Sequence, residues 1–113
     1  MKKFIVLYHA SADAMKEIMN ATPEQQKAGM DGWMHWAAKC GDKLVDMGSP
    51  LMGGQTISRD GKTKNSTKEV TGYSVLRATD MNEAKSLLEG HPHLAYNAAC
   101  SIEVHENMPL AGM

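Results

Sequence analysis

The sequence predicts an α+β fold in which one antiparallel sheet carries helices on a single face, with elements in the order β-α-β-β-α-β. Three observations predict it. The segment Gly41-Asp42-Lys43-Leu44-Val45-Asp46-Met47-Gly48-Ser49-Pro50-Leu51 closes a long amphipathic helical pattern and launches a strand. Further along, Glu89-Gly90-His91-Pro92-His93 closes a shorter helix ahead of a final strand. Between them, a polar, turn-rich run from Arg59 to Thr67 separates two β-rich segments and marks a hairpin. With 113 residues the chain is sized for one domain, residues 1–113, with a core from about 3 to 106 and a tail from 107 to 113.

Phe4-Ile5-Val6-Leu7-Tyr8 is the first strand by its β-branched and aromatic content. Phe4, Val6 and Tyr8 fall on one face, Ile5 and Leu7 on the other, so both faces are apolar. Helices cover only one of them, and the other is expected to meet a second copy of the chain in a homodimer. Residues 11 to 20 form a short helix capped by Ser11, with Met15, Ile18 and Met19 inward. Thr22-Pro23-Glu24-Gln25 is a capping box with proline at the first helical position. In the helix it opens, Met30, Trp33, Trp36, Ala37, Cys40, Leu44 and Met47 share one face, and Gly48 with Pro50 ends it. Gly29, Gly32 and Gly41 inside that pattern each cost on the order of 1 kcal/mol relative to alanine. They imply close backbone approach or a bent, shorter helix.

Leu51–Ser58 and Glu69–Ala78 are the hairpin strands, with Gly53-Gly54 a bulge or a point of close approach. Asp80 caps a second helix that turns Ala84, Leu87 and Leu88 inward and ends at Gly90. Ser101–His105 is the last strand, and the tail from Asn107 to Met113 is frayed or draped on a neighbour. Right-handed crossovers then place the first and third strands centrally, with the fourth beside the first and the second beside the third.

Composition narrows the function. Twelve Lys and Arg against thirteen Asp and Glu give a net charge of -1, which favours neither nucleic acid nor an anionic membrane surface. No apolar run of membrane-spanning length and no signal peptide is present, so a soluble cytoplasmic protein is expected. Cys40 and Cys100 lack CxxC spacing and read as reduced, packed thiols. Ten methionines against one phenylalanine suit either a core filled with flexible side chains or an adaptable pocket. GxSxG, P-loop, GxGxxG and HExxH motifs are all absent, and no cofactor is expected.

The predicted topology gathers His9, His91 and His93 at one edge of the sheet, near Tyr8, Met30, Trp33, Trp36 and Tyr73. His35 and His105 fall outside the cluster. His91-Pro92-His93 lacks the ligand spacing of a zinc site, and no metal is expected. A histidine near neutrality suits proton transfer, and His91 is the candidate acid or base. The competing reading is a turn residue bonded to backbone. Trp33 and Trp36 form either core or a flat wall for an apolar ligand, to which Tyr8 and Tyr73 add phenolic hydroxyls.

The Gly41–Leu51 corner, Glu69-Val70-Thr71-Gly72-Tyr73-Ser74-Val75, the His91-Pro92 corner and the closing Ile102-Glu103-Val104 resemble the YCII-related family and its DGPF group over residues 3 to 106. The resemblance implies a ferredoxin-like protomer that pairs sheet to sheet into a dimeric α/β barrel. It implies too a site built from a helix His and an Asp before proline. Met30 and His91 stand at those two positions here, and the DGPF signature is missing from the hairpin loop. The resemblance therefore carries a pocket location and not a His/Asp mechanism. Three functions remain open: a small-molecule enzyme, a non-catalytic ligand-binding or accessory module, and, by analogy of fold alone, a cofactor-free oxygenase or haem-handling protein.

Overall fold

A computed structural model describes residues 1–110 of the chain. Its first strand, β1 (Lys2–His9), alternates as the sequence predicts. Phe4, Val6 and Tyr8 are buried under the helices, while Ile5 and Leu7 are only half-buried on the opposite face. Two helices follow. Helix α1 (Ala12–Met19) is capped by Ser11, whose hydroxyl accepts from the Ala14 N–H at 3.1 Å. Helix α2 (Pro23–Cys40) opens on the complete Thr22/Gln25 capping box. In α1 it is Ala14 that is buried, and Met19, expected inward, is exposed.

The second helix is shorter than its apolar pattern. Gly41 takes φ +60° and breaks it, a 3₁₀ turn occupies Gly41–Lys43, and Leu44–Asp46 become strand β2. Leu44 and Met47 therefore belong to the sheet edge and not to the helix face. Leu44 pairs with Leu76, and the edge runs on through Pro50, bridged to Gly72, to Leu51, which donates to Thr71 O. The expected hairpin strand Leu51–Ser58 thus starts where pairing with the main sheet ends. Past Gly53 and Glu69, both at positive φ, the ribbon continues as a separate two-stranded arm, β3 (Gln55–Ile57) with β4 (Thr63–Asn65). Gly53 and Gly54 lie outside these strands, at the foot of the arm.

Strand β5 (Val70–Ala78) returns through the centre of the sheet. Helix α3 (Met81–Leu87) is capped by Asp80, which accepts from the Glu83 N–H at 2.8 Å. It ends before the expected Gly90, and a further short helix, α4 (Pro92–Tyr96), which the sequence reading passed over, stands before β6 (Ser101–Glu106). All strand pairs are antiparallel in the order β2-β5-β1-β6, the predicted arrangement of a ferredoxin-like α+β sheet. Phe4, Val6, Tyr8, Trp36, Cys40, Leu76, Ala78, Ala84 and Leu88 form the core between sheet and helices. Part of the expected tail, Ala111 to Met113, lies outside the described residues. No helix among the described residues is long and apolar enough to cross a membrane.

Candidate functional site

The parity of two strands places the first polar groups. On β1, Tyr8 shares the helix-covered face with Phe4 and Val6; on β5, Ser74 shares it with Gly72 and Leu76. A hydroxyl buried at such a position must find a partner. Ser74 donates to Met47 O at 2.6 Å, and its oxygen lies 2.7 Å from the Tyr8 hydroxyl. The serine has one proton and the carbonyl takes it, so Tyr8 must donate to Ser74. The tyrosine oxygen is left as an acceptor, and Nε2 of His91, at 3.2 Å, must be its donor.

The other ring nitrogen of His91 gives the same tautomer independently. Nδ1 accepts from the His93 N–H at 3.0 Å, so His91 caps α4 with an unprotonated Nδ1 and carries its proton on Nε2. The chain of donors therefore runs from His91 to Tyr8 to Ser74 to the Met47 carbonyl. Burial, assisted by neighbouring His93, pulls His91 down to about 3. Burial likewise pushes the Tyr8 phenol up to about 12, against the opposing effect of the Ser74 hydrogen bond. Both groups are neutral across the physiological range.

His93 is different. Its Nε2 lies 2.8 Å from His9 O, and a carbonyl can only accept, so Nε2 carries the proton in the neutral ring. Nδ1 has no hydrogen-bond partner among the described residues. His93 also stands in the wall of a cavity of about 630 Å³ between α1, α2, α4 and the β2–β5 edge. Tyr8 and Trp33 meet edge to face there, with ring centroids 4.9 Å apart. Met15, Met30 and Met47 contribute thioethers, and Gly29 leaves an open stretch of α2 along the wall.

No family model matches the sequence, and no curated protein does. Among solved structures, the chain is similar to 5-chloro-2-hydroxyhydroquinone dehydrochlorinase from Burkholderia phenoliruptrix in complex with 2,5-dihydroxybenzoquinone. The TM-score is 0.50 at 16% sequence identity, over 89% of this chain and 90% of that one. At that identity the likeness bears on the fold, which is the ferredoxin-like architecture of the sequence reading.

The residues singled out from sequence divide into two groups. Tyr8, Met30, Trp33, Tyr73 and His93 line the cavity. His91, Trp36 and His9 do not. His91 is fully buried behind Tyr8, 4.5 Å from the Trp33 ring and 4.4 Å from Trp36 between centroids, with both nitrogens engaged. Taking up a proton at Nδ1 would break its bond to the His93 N–H, and giving one up from Nε2 would break its bond to Tyr8. Trp36 is core, its indole donating to Leu87 O at 2.8 Å. His9 donates from Nδ1 to Lys68 O at 3.1 Å and turns Nε2 toward Glu103, 3.9 Å away. The three histidines are linked, but through His9 and His93 backbone atoms. Among the described residues no group of His, Cys, Asp and Glu is placed to hold a metal ion. Sequence reading missed Ser74, and strand parity could have found it, since a serine at an inward position needs a partner.

Proposed function

We propose that the protein binds a small organic molecule in the cavity between α1, α2 and the β2–β5 edge, with His93 as its acid/base and hydrogen-bonding group. The observation that carries this reading is the state of His93. It sits in an apolar wall beside Tyr8, ring centroids 5.2 Å apart, with one ring nitrogen held by the backbone and the other unengaged. The neighbour's complex with a small ring compound supports a ligand of that size. Gly29 supplies the test. It lines the cavity, and a Cβ built on it meets nothing within 4 Å. Gly29→Trp is expected to fill the cavity and abolish binding of any hit from a metabolite thermal-shift screen. Its stability should stay within about 1 kcal/mol of wild type, because the helix loses a glycine. A hit that binds Gly29→Trp unchanged would remove the cavity from consideration. Consumption of the hit by wild type, lost in His93→Phe, would separate an enzyme from a passive binder.

The site reading comes with an assembly. Ile5, Leu7 and Val75 are half-buried and Val45 is exposed on the sheet face that no helix covers. We propose that a second copy covers this face, forming the dimeric barrel. Light scattering at micromolar concentration is expected to give twice the chain mass, and Leu7→Lys to give the monomer. A wild-type monomer at that concentration is the contrary result.

A further inference from the structure

We infer that the ligand of this cavity is an uncharged aromatic molecule bearing a hydroxyl group, its ring held among Tyr8, Trp33 and the methionines and its hydroxyl donating to Nδ1 of His93. The inference rests on the binding role proposed for the cavity and names what that role selects. Its first support is charge. Among the described residues, none of the side chains that line the cavity is Asp, Glu, Lys or Arg. A carboxylate or phosphate would be taken from water with no lysine or arginine to receive it and only the acceptor nitrogen of neutral His93 facing it, a costly transfer in an apolar wall. A nearby carboxylate makes matters worse for an anion. Glu17 lines a notch that shares Ala21, Gln25 and Tyr96 with the cavity.

The second support is the wall itself. Edge-to-face Tyr8 and Trp33 present aromatic surface, and thioethers of Met15, Met30 and Met47 make favourable contacts with ring edges. The third is the direction of the hydrogen bond. Because Nε2 of neutral His93 is committed to His9 O, the nitrogen left over is an acceptor, and it asks for a donor. A hydroxyl on the ring supplies one; an ether, ketone or ester oxygen does not.

Three probes on one ring system test this by isothermal titration calorimetry at pH 7.5: 2-naphthol, 2-methoxynaphthalene and 2-naphthoate. The naphthol is expected to bind about tenfold more tightly than the methoxy compound, the scale of one hydrogen bond to an otherwise unsatisfied group. The naphthoate should be weaker than both. In His93→Phe, which keeps an aromatic ring and removes the acceptor, the naphthol and its ether should bind equally. Equal affinity of those two probes for wild type overturns the inference, as does tightest binding of the naphthoate, or no binding by any of the three. The cavity reading fails separately. If the metabolite screen yields a non-aromatic hit that Gly29→Trp blocks, the ligand class is wrong and the cavity stands. Should 2-naphthol bind wild type and Gly29→Trp alike, the site itself is misplaced.

Discussion

Gly48→Ala is expected to lower stability by at least about 4 kcal/mol, among the largest single-residue effects available to a chain of this size. Gly48 takes φ +75°, and a Cβ built on it would lie 1.7 Å from Tyr73 O and 2.6 Å from the Tyr73 carbonyl carbon. Neither atom belongs to a flexible side chain. Relief requires the edge segment to move off β5, and that motion takes with it the Met47 carbonyl on which Ser74 and Tyr8 depend. The effect therefore reaches the cavity floor as well as the sheet edge. Gly41 and Gly53 provide the comparison. They also sit at positive φ, +60° and +66°, but nothing lies within 4 Å of a Cβ at either. Alanine there should cost only the penalty for a positive φ, about 1–2 kcal/mol at Gly53 and up to about 3 kcal/mol at Gly41, whose ψ of −131° is a conformation that favours glycine. Urea denaturation of the three variants measures the difference. A loss for Gly48→Ala no larger than for Gly53→Ala would show that steric overlap with β5 is not what fixes this glycine.

That segment also shows where the sequence was legible and where it was not. The apolar spacing of Met30, Trp33, Trp36, Ala37 and Cys40 continues without a break through Leu44 and Met47, so periodicity alone prolongs the helix. What stops it is the backbone at Gly41, whose positive φ cannot be read from side-chain pattern. The β1 alternation was plain because period two is set by the pleat, and the strand order followed from crossover handedness. Short helix α4 was invisible for the opposite reason: five residues are too few to show a period. The site divided along the same line. Aromatic residues and His93 could be placed near one edge by topology. Which of two histidines faces the cavity depends on a single peptide, Pro92, between an N-cap that turns in and a helical residue that turns toward the hollow. Pro92 itself packs on α2 where Gly32 leaves room, 3.4 Å from a Cβ built there, which accounts for one of the helix glycines.

His91→Ala is expected to lower stability by about 3–4 kcal/mol at pH 7.5, from a cavity in the core, a His93 N–H without an acceptor and a Tyr8 oxygen without a donor. His91→Asn should lose less, since a carboxamide oxygen can still accept at the N-cap of α4. The sharper consequence is in the pH profile. His91 is held at about 3 in the folded chain against an ordinary value of 6.5. Between those limits the unfolded state binds a proton that the native state refuses. Stability therefore rises with pH across this window, is complete above about 6.5 and is lost as the pH falls, by about 1.4 kcal/mol for each unit. Going from pH 6.5 to 4.5 should remove about 2–3 kcal/mol through this ring alone. Glu83 and Glu103, whose carboxyls are held below their usual range by hydrogen bonds, also lose stability in acid, so the wild-type slope by itself assigns nothing. The difference between wild type and His91→Asn does, because both carboxylates are common to the two proteins. Their stabilities, measured in urea at pH 7.5, 6.5, 5.5 and 4.5, should converge as the pH falls. Parallel profiles would mean that His91 takes a proton in the folded state as readily as in water, and the donor chain from His91 through Tyr8 to Ser74 could not then be the fixed arrangement that holds this cavity wall in place.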